Sequence, residues 1–172
     1  MQAAALTPSA PSRTRSAVLI ALTLYIAFVF IQSLFFKFTD SPETQYIFGT
    51  LDGWGASLGF PGLFAHSGIF SQYVVGSAEL VASGLLLAGL FGRMPLVQVL
   101  GALMALGVIT GAIFFHLFTP LGVQVRNVDG TLDGGELFAL ACGVWVAAAL
   151  IVWLRRAQVL GYVARVAGRR AA

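Results

Sequence analysis

The sequence predicts an all-α fold: an integral membrane four-helix bundle whose long first extracytoplasmic loop carries an interfacial helix. The 172 residues are 58% hydrophobic and only 10% charged, whereas a soluble domain carries about 25% charged residues. The mean hydropathy is +0.88. Four apolar segments also approach the ~20 residues that a helix needs to cross a bilayer. They span about residues 17–36, 73–91, 96–118 and 137–154.

These segments divide the chain into three parts. Residues 1–16 form a cytoplasmic N-terminal segment, residues 17–155 a transmembrane domain, and residues 156–172 a basic cytoplasmic tail. The first apolar segment is too long for a cleaved signal peptide and ends without a small-residue cleavage site, so it is expected to stay as an anchor. The single cysteine, Cys142, excludes an intrachain disulfide and a CxxC redox motif.

The charged residues predict the orientation of the four helices. Eight arginines fall on one side of the hairpin: Arg13, Arg15, Arg93, Arg155, Arg156, Arg165, Arg169 and Arg170. The other side carries two cations, Lys37 and Arg126, and six acids: Asp40, Glu43, Asp52, Asp129, Asp133 and Glu136. The positive-inside rule therefore predicts a multi-pass protein of the cell membrane (the inner membrane of a bacterium), with both termini cytoplasmic. The lipid bilayer is its first partner, and no basic patch with interleaved aromatics indicates nucleic acid.

The loop between the first two spans is too long to be structureless in a compact domain. Ser41-Pro42-Glu43 has the cap, the proline and the early acid of a helix start. Ile47, Leu51, Trp54 and Leu58 then recur on one helical face. This segment is therefore predicted to be an interfacial helix on the outer leaflet or over the mouth of the bundle.

Small residues predict where the second and third spans pack closely. Gly107 and Gly111 form a GxxxG motif in the third span, and Gly101 and Ala105 extend the trend of small residues there. Gly84 and Ala88 repeat this spacing in the second span. Small residues let the backbones of two membrane helices approach each other. A short turn joins these spans, so they are expected to be antiparallel neighbours that meet at these positions.

Glu79 is the one carboxylate inside an apolar run. An ionised group in the bilayer core costs roughly 3 kcal/mol on insertion scales, so it must be paired, protonated or exposed to a polar cavity. Glu79 lies about 9–12 Å below the outer boundary, from the rise of 1.5 Å per residue. Two interpretations stay open: Glu79 pins two helices together, or it belongs to a site for a proton, a metal or a redox ligand.

The predicted orientation brings further polar residues to the outer half of the bundle, where they would form a pocket that opens outward with Glu79 at its floor. We expect Glu79 to approach Lys37 or His116 in this pocket, and we expect a catalytic role for all three residues. We expect a ligand-binding role for Gln32, Asp133 and Glu136. Structural alternatives are a lysine that extends to the interface and acids that favour a helix N-terminus.

Two stretches resemble a known family. One is Gln32-Ser33-Leu34-Phe35-Phe36-Lys37-Phe38, an apolar helix end with its lysine and aromatic neighbours. The other is residues 76–93, GSAELVASGLLLAGLFGR, with its Glu-Leu pair, leucine run and basic turn. Both are similar to the DoxX-like family of small four-helix membrane proteins. The resemblance covers about residues 17–155 and implies a four-helix fold and a Glu79–Lys37 site. Some members are associated with thiosulfate:quinone oxidation, others with redox-stress complexes or thiol-linked electron transfer.

Three functions are compatible with these residues, and the first of them is the one that we expect. The first is a membrane subunit of a redox system that binds a quinone or similar carrier, with a redox partner protein at the extracytoplasmic face. Glu79 and His116 would handle its protons. The second is a non-enzymatic assembly or interaction subunit whose polar cluster is structural. The third is a metal site of His116 with Glu79, Asp133 or Glu136. The chain has no haem, flavin or iron–sulfur motif, so electron transfer would need a cofactor from elsewhere.

Overall fold

A computed structural model describes residues 12–127 and 129–170 of the chain, with the side chains up to residue 167. It contains α1 (Arg13–Phe38), α2 (Pro42–Ser57), α3 (Gln72–Phe91), α4 (Pro95–Phe118) and α5 (Glu136–Arg170). Four of these helices, α1, α3, α4 and α5, are long and apolar enough to cross a membrane. The described part of the chain is thus all-helical except for an isolated β-bridge between Arg126 and Leu132, and its composition is that of a multi-pass membrane protein.

Serine side chains cap three of the helices. The hydroxyls of Ser12, Ser41 and Ser71 each accept a hydrogen bond from a backbone N–H three residues further on, at 3.3–3.4 Å. These bonds satisfy N–H groups that have no partner inside the helix. Pro42 and Pro95 occupy the first positions of α2 and α4, where proline loses no hydrogen bond. The helix predicted from Ser41-Pro42-Glu43 is therefore present as α2.

The four long helices form a ring in which each contacts two neighbours. Helix α1 packs against α3 and α5, and α4 packs against the same two helices from the other side. Successive long helices run in opposite directions. The centre of the ring is an apolar layer, fully buried at Ile26, Phe30, Leu86, Ala102, Val144 and Ile151.

The two ends of the bundle differ in charge. The start of α1, the α3–α4 turn and the arginines of α5 form one end, which we call the arginine end. There the Arg155 guanidinium donates to Gln98 Oε1 at 2.8 Å, and Gln98 Nε2 donates to Thr23 Oγ1 at 2.8 Å. The opposite end, which we call the acidic end, carries α2, the loop 58–71 and the loop 119–135. The six acids outside the apolar runs all belong to this end.

Helix α2 covers part of the acidic end through a second, small core. Leu51 of α2 packs with Phe64, Leu121 and Val125 of the two loops, all with 4% exposure or less. Ile47 and Trp54 join this cluster, as their predicted helical face requires. Leu58, predicted on the same face, is instead 55% exposed, because α2 ends at Ser57 and the chain turns away.

The predicted close packing at Gly107 and Gly111 is wrong. A Cβ atom on Gly107 would meet nothing within 4 Å, and one on Gly111 would only reach the Phe115 ring at 4.0 Å. Gly84 and Ala88 are likewise exposed.

Helices α3 and α4 approach each other elsewhere. A Cβ on Gly101 of α4 would lie 2.7 Å from the backbone nitrogen of Leu86, and Gly89 of α3 is in direct contact with the Gln98 backbone. The contact face of α4 is rotated from the predicted one, because Gly101 and Gly107 are six residues apart and so lie about 240° apart around the helix.

Helix α5 is longer than the predicted fourth span. It continues without a break to Arg170, about 52 Å from its start at 1.5 Å per residue, whereas the predicted span ends near residue 154. Contacts with α1 hold the first turn of this extension. Arg15 donates to the carbonyl oxygen of Leu154 and to Gln158 Oε1. The predicted tail is therefore continuous with the helix as far as residue 170.

Candidate functional site

An ion pair between α1 and α3 lies inside the apolar part of the bundle. Lys37 is in the last turn of α1, and its Nζ atom is 2.9 Å from Oε2 and 3.1 Å from Oε1 of Glu79. The side chains are 15% and 7% exposed. Of the two partners expected for Glu79, Lys37 and His116, it contacts Lys37, and this contact connects two helices that are neighbours in the ring.

Ser33 completes the cluster. Its hydroxyl donates to Glu79 Oε2 at 2.6 Å and accepts from Lys37 Nζ at 3.0 Å. The Lys37 ammonium thus has three acceptors for its three N–H groups. We call Ser33, Lys37 and Glu79 the polar clamp. Its ammonium has no unused donor, so a ligand that bonds Lys37 must displace one of the existing partners.

Helical spacing explains why Ser33, and not Gln32, joins Glu79. Residues four apart share one helical face, so Ser33 lies one turn below Lys37. Gln32, rotated by about 100° from Ser33, is exposed on the outside of the bundle, and its side chain has no hydrogen bond to a described residue. On α3, Gly76 leaves room for the Lys37 stem, because a Cβ there would already lie 3.4 Å from Lys37 Cδ.

A hydrogen-bonded path leads from the polar clamp to the surface of the acidic end. Gln72 Nε2 donates to the carbonyl oxygen of Lys37 and to Asp40 Oδ1, both at 2.9 Å. Gln45 donates to Asp40 Oδ2 at 3.2 Å, and His66 Nε2 lies 3.6 Å from Asp40 Oδ1. Asp40 has a positive φ of 55°, which aspartate tolerates better than most residues.

A cavity of about 430 Å³ lies beside this path. Phe48 and Phe64 supply aromatic walls, while Asp52, His66 and Gln72 supply polar groups. Asp52 Oδ1 already accepts a hydrogen bond from the Phe64 backbone at 3.0 Å. The cavity can hold a ring-shaped ligand of moderate size, whose polar atoms would meet mainly hydrogen-bond acceptors.

The hydroxyl of Ser83 marks a second polar position near the clamp. Ser83 lies on α3 one turn deeper than Glu79 and is 1% exposed. Its oxygen has no hydrogen-bond partner among the described residues. Unpaired buried polar atoms are rare in folded proteins, so this oxygen is the group below the clamp to which a water or ligand atom would bond.

His116 belongs to a different group of contacts. Its Nδ1 is 2.7 Å from the carbonyl oxygen of Gly122, which assigns the ring proton to Nδ1. The ring meets Phe138 edge to face at 5.7 Å. His116 thus connects the end of α4 to the following loop and to α5. It makes no hydrogen bond to Glu79, so the structure does not bring the two predicted proton-handling residues together.

Asp133 organises the loop before α5. Its Oδ1 accepts from the backbone nitrogens of Val125 and Gly135 at 2.8 and 2.9 Å, and its Oδ2 accepts from Leu137 at 3.1 Å. Burial raises the pKa of the Asp133 carboxyl, but these three N–H donors and the nearby His116 outweigh it, so the pKa lies below its ordinary value. Asp133 therefore stays ionised as a structural cap.

Glu136 starts α5, and its side chain is exposed without a hydrogen bond to a described residue. Of the six residues predicted to line one pocket, the structure joins Glu79 to Lys37 and places His116 near Asp133, but these two pairs are separate. Ser33 and Gln72 were missed. Their signal is helical spacing, because Ser33 precedes Lys37 by four residues and Gln72 precedes Glu79 by seven.

Within residues 12–127 and 129–170, no group of three or more His, Cys, Asp or Glu side chains has the arrangement of a metal site. The comparisons with known proteins do not add a function either. No protein-family model matches the chain, and no curated protein or solved structure matches it.

Proposed function

We propose that this chain is a non-enzymatic membrane subunit, which assembles with another protein through its acidic end, and that the polar clamp holds α1 against α3. This proposal rests on the hydrogen bonds of the polar clamp, which leave its lysine no free donor for a ligand. Lys37 has no unused donor, Glu79 is 7% exposed, and His116 bonds elsewhere. General acid–base work needs a group within reach of the ligand's proton, and this arrangement offers none without rearrangement.

The exposed side chains of the acidic end support the proposal of a partner protein. Phe60 and Ile69 of the loop 58–71 are 62% and 68% exposed, and Leu132 of the second loop is 56% exposed. Exposed acids, Asp129 and Glu136, lie in the same part of the chain. Apolar anchors beside charged groups are typical of protein interfaces and of loops that dip into a leaflet.

We place this end outside the cell membrane, with both termini in the cytoplasm and α2 at the outer leaflet. The reason is that arginines and acids fall in separate non-membrane segments of the chain. In a Cys142→Ala background, a cysteine at position 129 should react with a membrane-impermeant thiol reagent added outside intact cells. A cysteine at position 165 should react only after the cells are opened. The reverse labelling pattern would overturn this orientation.

The cavity at the acidic end favours a second function. Its aromatic walls and its connection to the clamp through Gln72 are suited to a small redox carrier such as a quinone in its reduced form, whose hydroxyls can donate to the acceptors of the lining. In that case the chain is a subunit of a redox system, as the resemblance to the DoxX-like family implies. After the clamp opens, the Glu79 carboxylate and the unpaired Ser83 oxygen would accept hydrogen bonds from the hydroxyls of the reduced carrier.

One experiment distinguishes the two functions. The protein should be purified gently from its native membrane, and its small molecules and proteins identified by mass spectrometry. We expect a second protein in a fixed ratio and only trace quinone. Quinone at about one molecule per chain, lost in a folded Glu79→Gln variant but kept in Gln32→Leu, would reject the non-enzymatic function in favour of the redox one.

A further inference from the structure

The arginine end of the bundle contains a second cavity that the proposed function does not use. It measures about 470 Å³ and lies between the start of α1, the α3–α4 turn and α5. Ser16, Arg93, Arg155 and Gln158 supply its polar lining. Ligand sites in proteins commonly measure roughly 300–1,000 Å³, so the cavity has the volume of a binding site.

The charges around this cavity have no counterpart within the chain. All seven carboxylates of the sequence fall within residues 40–79 and 129–136, away from the arginine end. Among the described residues, the Arg93 side chain forms no ion pair or hydrogen bond. Arg155 uses its Nε for Gln98, which leaves its two terminal nitrogens without a partner in the same part of the chain. Any anion that pairs with these two guanidinium groups must therefore come from outside the described chain.

Arg155 is held in position for such an anion. Gln98, which accepts from it, is fully buried and is itself bonded to the buried Thr23. This chain of side chains restricts the guanidinium at the cavity wall before any ligand arrives. Preorganised groups bind more tightly because less conformational freedom is lost on binding.

Arg93 occupies a position where glycine is expected. The α3–α4 turn is a Schellman motif: Met94 N donates to the Gly89 carbonyl at 2.8 Å, and Arg93 N donates to that of Leu90 at 3.3 Å. Arg93 has the left-handed φ of 54° that this motif requires, and glycine adopts that conformation without steric cost. Backbone strain of this kind is found preferentially at functional positions.

The apolar lining indicates a lipid rather than a free anion. Ile20 and Leu90 line the cavity beside the polar groups, and Phe91 next to the turn is 73% exposed. Basic pockets between membrane helices recognise anionic lipid headgroups. We propose that this cavity binds the phosphate headgroup of an anionic phospholipid, with Arg93 and Arg155 on the phosphate and the acyl chains along Ile20 and Leu90.

Thermal unfolding in a neutral detergent tests the site. Added phosphatidylglycerol should raise the melting temperature at concentrations where phosphatidylcholine has little effect. Inorganic phosphate at the same concentration should also have little effect. Equal stabilisation by both lipids would overturn the proposal, and stabilisation by inorganic phosphate alone would replace the lipid by a free anion.

Two arginine variants make the test specific. Arg93→Gly should fold at least as stably without lipid, since glycine suits the turn, yet should need roughly fivefold more phosphatidylglycerol for half-maximal stabilisation. Arg156→Gln removes one charge from the same end, but Arg156 lies over the Trp153 ring at 4.3 Å and does not line the cavity. It should shift the requirement by less than about twofold. Equal shifts in both variants would mean that the lipid responds only to the overall positive charge of this end. An unchanged phosphatidylglycerol requirement in Arg93→Gly would reject the site.

Discussion

Replacing Lys37 by methionine should destabilise the bundle by about 3–5 kcal/mol, the usual cost of removing one partner from a buried ion pair. Methionine keeps the length of the side chain but leaves the Glu79 carboxylate, only 7% exposed, with Ser33 as its remaining partner. Glu79→Gln should cost less, because the Lys37 stem can carry its ammonium to the membrane surface. Chemical unfolding in one detergent measures both variants.

The double variant Lys37→Met with Glu79→Gln should recover at least half of the loss caused by Lys37→Met alone. No uncompensated charge is then left in the bundle. Gln32→Leu is the control, because Gln32 lies on the same helix one residue from Ser33 but is exposed. It should be neutral. Additive losses in the double variant would mean that the two side chains act separately, contrary to the geometry of the clamp.

A single methyl group at Gly101 should also destabilise the bundle, though by less than the loss of Lys37. In Gly101→Ala the new Cβ would lie 2.7 Å from the Leu86 nitrogen and 3.0 Å from the Ala82 carbonyl oxygen. Backbone atoms cannot move aside as a flexible side chain does, so α3 and α4 must separate. We expect a loss of about 1–3 kcal/mol from overpacking, measured as a lower melting temperature in detergent.

Gly107→Ala is the matched control on the same helix. Its Cβ would meet nothing within 4 Å, and alanine is the better helix former. This variant should be neutral or slightly more stable than the parent protein. If both variants melted alike, the contact face between α3 and α4 would not be the one that Gly101 marks.

The transmembrane helices could be predicted from the sequence because their signal is local. The lengths of apolar runs located all four, and the short α3–α4 turn placed two of them side by side. The end of α5 could not be predicted in this way. Its last turns are basic and only partly apolar, and contacts from Arg15 on another helix hold the first of them.

Contacts between helices were harder to predict, because the rotation of each helix about its own axis decides which of its side chains face a neighbour. The depth of Glu79 narrowed its expected partners to Lys37 and His116 at the ends of two other helices, but did not decide between them. A shift of one residue separates the exposed Gln32 from the bonded Ser33. Because the rotation of α4 was unknown, the GxxxG motif indicated Gly107 as the contact with α3, whereas the structure has Gly101 there.

His116 shows what single-residue reasoning misses at a helix end. Its position in the last turn of α4 suggested a group facing the pocket, yet the following loop returns and offers the Gly122 carbonyl at 2.7 Å. Asp133 is likewise occupied by three backbone donors of its own loop. The course of a loop depends on long-range packing, here on the small core around Phe64 and Val125, which periodicity does not reveal.

The apolar layer at the centre of the ring has a consequence for permeability. It separates the polar clamp on one side from the Thr23–Gln98–Arg155 network on the other, and Ile26 and Phe30 of α1 lie between them, each with 1% exposure or less. Water and protons need a continuous chain of polar partners to cross a bilayer. The two networks are thus insulated from each other, so the described part of the bundle offers ions no continuous polar route between its acidic end and its arginine end.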